Sequence, residues 1–211
     1  MYLLMLPYIA LACAYCVDAW NESRYSKLLK PLLMPALLIG YLAMARPIQP
    51  LMVAGILLGW VGDVALMHEN DKAFIVGLGG FLLGHLMYGI CFIVNLGGTF
   101  NMWTLMYVPF AACAGVMLFR HLKSGLGQMK IPALMYDVTI FLMSTCAFAL
   151  LLTCPSSGSL LIWLGSLFFI VSDSILAQGI FLKPTRRQHF NVMSTYTCAQ
   201  FLIALGASLM A

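Results

Sequence analysis

Eight apolar stretches of near-membrane length, joined by connections of only a few residues, limit what this chain can become more than any other feature. A hydrocarbon core of about 30 Å asks for about 20 apolar residues per helix, and Pro, Gly and charge cut the sequence at close to that interval. The stretches lie at approximately 2–19, 29–44, 48–67, 73–95, 101–119, 131–153, 159–181 and 190–210. Two breaks carry proline (Arg46-Pro47 and Cys154-Pro155-Ser-Ser-Gly), one carries Gly97-Gly98, and the others carry charge clusters. No connection is long enough to form a domain. Residues 1–211 are therefore expected to form a single all-α, polytopic domain of eight transmembrane helices.

Composition supports the membrane reading. Of the 211 residues 63% are from the set AVILMFWYC and 9% are charged, against about 45–50% apolar and about 25% charged in a soluble domain. A globule of this length has too little interior to hide so much apolar surface. Eleven Lys and Arg spread along the chain make no basic stripe with interleaved aromatics, which excludes nucleic acid as a partner. The opening MYLLMLPY has no basic segment and no small-residue cleavage site, so it is expected to be the first span and not a signal peptide. The seven cysteines sit in or beside apolar runs and read as small hydrophobes. Cys13-Ala-Tyr-Cys16 has redox or metal spacing but lacks a second ligand pair.

The charges predict orientation. Arg24, Lys27 and Lys30 fall at the first connection, Lys72 at the third, Arg120, Lys123 and Lys130 at the fifth, and Lys183, Arg186 and Arg187 at the seventh. Only Arg46 falls on the other side. With loops this short the positive-inside rule places both termini outside the cytoplasm, in a bacterial inner membrane. Most of these cations serve as interfacial anchors; Lys30, followed by Pro31 and entering helix 2, is the one expected to do more. Gly55-xxx-Gly59 and Gly80-xxx-Gly84 predict close helix packing within the chain.

Ionisable residues inside a span are expensive and face the bundle interior or a water-filled cavity. Four stand out: Asp63, His85, Asp137 and Asp173. At about 1.5 Å per residue, Asp63 lies about 6 Å, Asp137 about 9 Å, Asp173 about 14 Å and His85 about 18 Å from the cytoplasmic end of its helix. Tyr88, Tyr136, Ser172, Tyr196 and Gln200 lie at similar depth. A cavity open to the cytoplasmic leaflet would gather them, with Asp63, His85 and Asp173 on its wall. Phe74, Gly77, Phe81, His85 and Tyr88 fall on one stripe of helix 4. Asp63 and Asp173 also lie in similar stretches, Gly55 to Leu66 and Gly165 to Leu176, at a constant offset of 110. That pattern suggests two parallel four-helix halves.

Two carboxyl groups close together in a low-dielectric site cannot both ionise cheaply, so one residue type supplies both an acid and a base. No G-x-S-x-G, no H-E-x-x-H and no Cys or Ser with a histidine orienter is present. His85, Asp63 and Asp173 could ligate a metal, but no spacing demands one, and no cofactor is expected. Acid/base hydrolysis and proton-coupled transport remain.

Lys30-Pro31-Leu32, Gly62-Asp63-xx-Leu66, Phe74-xx-Gly77-xxx-Phe81-xxx-His85-xx-Tyr88, Pro132-xxx-Tyr136, Gly165-xxx-Phe169-xx-Ser172-Asp173-xx-Leu176-Ala177 and Tyr196-xxx-Gln200 together resemble the YhhN-type lysoplasmalogenase family, in order from helix 2 to helix 8. The resemblance implies an eight-helix membrane fold that hydrolyses the vinyl ether of lysoplasmalogens to a fatty aldehyde and a glycerophospho-amine. Vinyl ethers resist base and are cleaved by acid, so no nucleophile is needed. The implied roles are Asp63 and Asp173 as acid and base in either order, and His85, Tyr88, Tyr196 and Gln200 as the groups that order water. Lys30 would meet the lipid phosphate, and Tyr136 and Ser172 would complete the substrate contacts. Asp137 is not carried over from the family. The implied partners are a lysophospholipid substrate and the bilayer, and the chain is expected to be a monomer. Two rivals remain. Tyr136-Asp137 and Val61-Gly62-Asp63 echo an intramembrane aspartyl protease, but in reversed order and with Trp60 where a glycine belongs. A transporter using the aspartates as a proton relay is the other.

Overall fold

The computed structural model describes residues 2–21, 25–68 and 70–210. Arg24, one of the ten cations assigned to the inner side, lies outside them, as do the two terminal residues. The helices are α1 (Leu6–Asn21), α2 (Ser26–Met44), α3 (Pro50–Ala65), α4 (Asp71–Val94), α5 (Tyr107–Leu122), α6 (Lys130–Thr153), α7 (Ser157–Phe181) and α8 (Gln188–Met210). Short 3-10 turns at Tyr2–Met5 and Met102–Met106 lead into α1 and α5. With the turns that precede them included, seven of the described segments are long and apolar enough to cross a membrane; α3, with 16 residues and no such turn, is shorter. The chain is a polytopic, all-helical integral membrane protein.

The boundaries follow local chemistry. Pro50 occupies the first turn of α3, where its missing N–H costs nothing, and it starts that helix later than the apolar run suggests. Asn70 caps α4 through its side chain, which accepts from Ala73 N at 2.8 Å. Ser156 and Ser159 form a reciprocal capping box on α7. In α2, Pro35 has no N–H to give the carbonyl of Pro31. Trp60 Nε1 of α3 supplies the missing donor at 2.9 Å, as the absence of water in a bilayer requires.

Two tight pairs, α3 with α4 and α7 with α8, dominate the packing. Glycine makes the first possible. A Cβ at Gly80 would lie 3.0 Å from Gly62 N and Leu58 O, and Phe81 and Tyr88 of α4 rest against Gly62 and Gly55 of α3. Gly80→Leu should therefore force α3 and α4 apart. The expected cost is about 1–3 kcal/mol or more, read as a lowered midpoint of thermal unfolding in detergent, because a backbone neighbour cannot rotate away.

Candidate active site

A cavity of about 650 Å³ enters the bundle at the end where α1–α2, α3–α4, α5–α6 and α7–α8 connect. Exposed His68, Asn70 and Asp71 stand at its mouth, and Asp63, Asp173 and Tyr196 line its inner part. It is thus on the side that carries the basic residues. The opposite end of the bundle is closed by an amide pair. Gln49 Nε2 donates to Asn95 Oδ1 at 3.1 Å, Asn95 Nδ2 donates to Gln49 Oε1 at 3.0 Å, and Cys91 Sγ donates to Gln49 Oε1 at 2.8 Å.

The two aspartates have different company. Asp63 is 2% exposed. Its Oδ1 lies 3.6 Å from Lys30 Nζ, and its Oδ2 accepts from Tyr196 Oη at 2.6 Å. Behind Tyr196 the chain of hydrogen bonds continues: Gln200 Nε2 donates to Tyr196 Oη at 3.4 Å, and Tyr88 Oη donates to Gln200 Oε1 at 2.8 Å. The small residue Gly59 leaves room for the Gln200 amide, which would stand 3.2 Å from a Cβ there. Asp173 accepts from Tyr136 Oη, and His85 Nε2 lies 3.9 Å from its Oδ2. Among the described residues no Lys or Arg reaches Asp173 at ion-pair distance. The rings of Phe169 and Phe81 stand edge-on to Tyr196.

Several expectations need correction. His85 does not line the cavity: it is 1% exposed, packed edge-on against Phe169 and Tyr136, and neither ring nitrogen has a hydrogen-bond partner among the described residues. The stripe on helix 4 is real, but its deeper end meets side chains and not open space: His85 faces α6 and α7, and Tyr88 faces α3 and α8. Tyr88 and Gln200 likewise sit behind Tyr196, out of the cavity. Ser172 lines it while its Oγ donates to Val192 O at 3.1 Å, tying α7 to α8. Lys30 lines the cavity as well, with its ammonium toward Asp63.

Two groups escaped the sequence reading. His189, in the first turn of α8, lines the cavity with its Nε2 3.1 Å from Tyr15 Oη. It lies at the edge of an expected span, just past the basic Lys183–Arg187 run, where the sequence carries no signal that it turns inward. Asp18, inside the first expected stretch but not among the four singled-out ionisable residues, is buried near the end of α1 and accepts from Tyr25 N at 3.3 Å. Asp137 does not join Asp63. It lines a separate apolar slot between α4, α5, α6 and α7, of about 80 Å³, whose wall also includes Asp173, Phe81 and Leu176. Those three residues line the main cavity too, so the slot and the cavity meet at Asp173. Among the described residues, no three His, Cys, Asp or Glu side chains are grouped to hold a metal ion.

Residues 25–207 match the YhhN family. The chain belongs to that family. It is 28% identical over 210 residues to human lysoplasmalogenase TMEM86B, covering 95% of this chain and 84% of that protein. It is 27% identical to human lysoplasmalogenase TMEM86A, covering 96% and 88%. A lysoplasmalogenase of Mycobacterium tuberculosis is 29% identical over 184 residues, covering 81% of this chain and 66% of that protein. No solved structure matches.

Proposed function

We propose that this YhhN-family chain hydrolyses the 1-alkenyl ether of a lysophospholipid to a fatty aldehyde and a glycerophospho-alcohol, with Asp173 as acid and Asp63 as base. One observation carries the reading: two carboxyl groups share a cavity, only one is paired with a lysine, and the other borders a small apolar slot with room for the first few carbons of an alkyl chain. The names of the relatives point to the same bond. Asp63, held by Lys30 and Tyr196, is the carboxylate. Asp173, with a tyrosine and no fixed cation, carries the proton.

The steps balance with water as the nucleophile and no covalent bond to the protein. Asp173 protonates the β-carbon of the vinyl ether, leaving an oxocarbenium ion that the carboxylates stabilise. Water attacks the α-carbon and gives its proton to Asp63, forming a hemiacetal. As the hemiacetal collapses, its hydroxyl proton passes to Asp173, and Asp63 protonates the departing glycerol oxygen. Both groups return to their starting states. His85, Tyr88 and Gln200 act as positioning residues, through Asp173 and Tyr196. The ten-to-one distribution of Lys and Arg favours a cavity open to the cytoplasm, with both termini outside it, in a bacterial inner membrane. The amide pair at the far end is a poor exit for a carried solute, which weighs against transport.

The test is direct. Purified protein should release aldehyde from a 1-alkenyl lysophospholipid and leave the matching ester lysolipid largely intact, since proton transfer to carbon opens a vinyl ether but does not activate an ester. Equal cleavage of both substrates, or of the ester alone, would sink the proposal.

A further inference from the structure

The lipid-facing side of α5 carries a second groove, of about 450 Å³, lined by small and apolar residues of α5 and α6 such as Ala112, Val116, Phe119 and Val138. Arg120 and Lys123 stand at its end on the cavity side of the bundle. Asp137 lines this groove and also lines the inner slot, so the two spaces are separated only by the seam at which α5 meets Asp137. A Cβ at Gly115 would lie 3.2 Å from Asp137 Oδ2 and from Phe141 Cδ2, so α5 rests directly on the carboxylate. Asp137 Oδ1 is buried and has no hydrogen-bond partner among the described residues. Buried acceptors are normally satisfied. Of the seven long spans α5 is the least embedded, with 22% of its apolar window buried, and it packs mainly on α6.

An opening from the bilayer must admit an apolar chain while keeping a charged head at the membrane surface. The groove has that profile: apolar along its length, with two cations where a phosphate would ride and a carboxylate lacking a donor part-way in. We propose that the α5–α6 seam is a lateral entrance for a single-chain glycerophospholipid. Arg120 and Lys123 take its phosphate, its free glycerol hydroxyl supplies the donor that Asp137 lacks, and the glycerol end of its chain passes α5 into the slot that ends at Asp173. This deepens the hydrolase reading and rests on it for the identity of the lipid. Diacyl phospholipids lack the free hydroxyl that Asp137 accepts from, so the entrance also selects for lysolipids.

Photolabelling of the full-length protein in phosphatidylcholine vesicles tests this. The probe is a 1-alkyl lysophospholipid with a diazirine in its chain, which the hydrolysis cannot consume. Labelled peptides should concentrate in 108–145. Arg120→Ala combined with Lys123→Ala should lower that labelling at least about threefold, and Asp137→Leu or Ala112→Trp should do so independently. A 1-alkyl glycerol carrying the same diazirine but no phosphate should label the groove weakly and ignore the Arg120/Lys123 change. Labels spread evenly over the lipid-facing helices would overturn the proposal. So would equal labelling by the uncharged probe, or labelling that survives all the substitutions. The probe works without turnover, so the two readings fail separately. Groove labelling with no aldehyde release from any alkenyl lysolipid leaves the entrance standing and removes the hydrolase; aldehyde release without groove labelling does the reverse.

Discussion

Replacing Asp63 or Asp173 with Asn is expected to lower aldehyde release by about a hundredfold or more, the scale on which enzymes lose a general acid or base. The protein should remain folded in both cases. Asn keeps the volume of Asp, and at either site a tyrosine hydroxyl, that of Tyr196 or Tyr136, can still donate to its carbonyl oxygen. In Asp63→Asn the lysine left behind has a long stem and is 15% exposed, so its ammonium can swing toward the cavity mouth and water. Steady-state rates on one alkenyl lysolipid, with gel filtration in detergent to check assembly, are the measurements needed. Aldehyde release that survives both substitutions would refute the carboxylate mechanism.

Lys30→Met should be the most damaging change to stability among the site residues, and its kinetic signature should lie in kcat and not in KM. The reason is an asymmetry of burial. Lys30 can reach water, whereas Asp63 is 2% exposed and has no route out if its cation is removed. Breaking a buried ion pair from one side costs about 3–5 kcal/mol because the remaining charge is uncompensated. Asp63 would then relieve the cost by holding a proton, and a protonated Asp63 cannot serve as base. Lys30→Met combined with Asp63→Asn should recover most of the thermal stability lost in Lys30→Met alone while remaining inactive. A variant that only raises KM, with an unchanged unfolding midpoint, would return Lys30 to the phosphate-binding role that its position near the membrane surface suggested.

The eight helices were legible in the sequence because the bilayer imposes a length and a polarity that each span must meet by itself. Local signals such as Pro50, Asn70 and the Ser156–Ser159 box then fixed several of their ends. The aspartates were legible for the same reason: a carboxyl group in an apolar run is too costly to be accidental. What the sequence could not decide was who stands beside whom. Asp63 and Asp173 occupy similar stretches at a fixed offset, yet one meets Lys30 of α2 and Tyr196 of α8, and the other meets Tyr136 of α6 and His85 of α4. Those partners come from four different helices, chosen by how the bundle closes. His85 and Tyr88 share a helical stripe with Phe74 and Phe81, but periodicity gives only the direction of a side chain. Whether that direction meets a cavity or a neighbouring ring depends on α6, α7 and α8. His189 and Asp18 were missed because near a helix end an apolar pattern cannot distinguish a residue that turns inward from one that reaches the interface. Helix number and buried charge are thus properties of single segments in lipid, whereas the different partners of the two aspartates and the seam beside Asp137 exist only once the helices are packed.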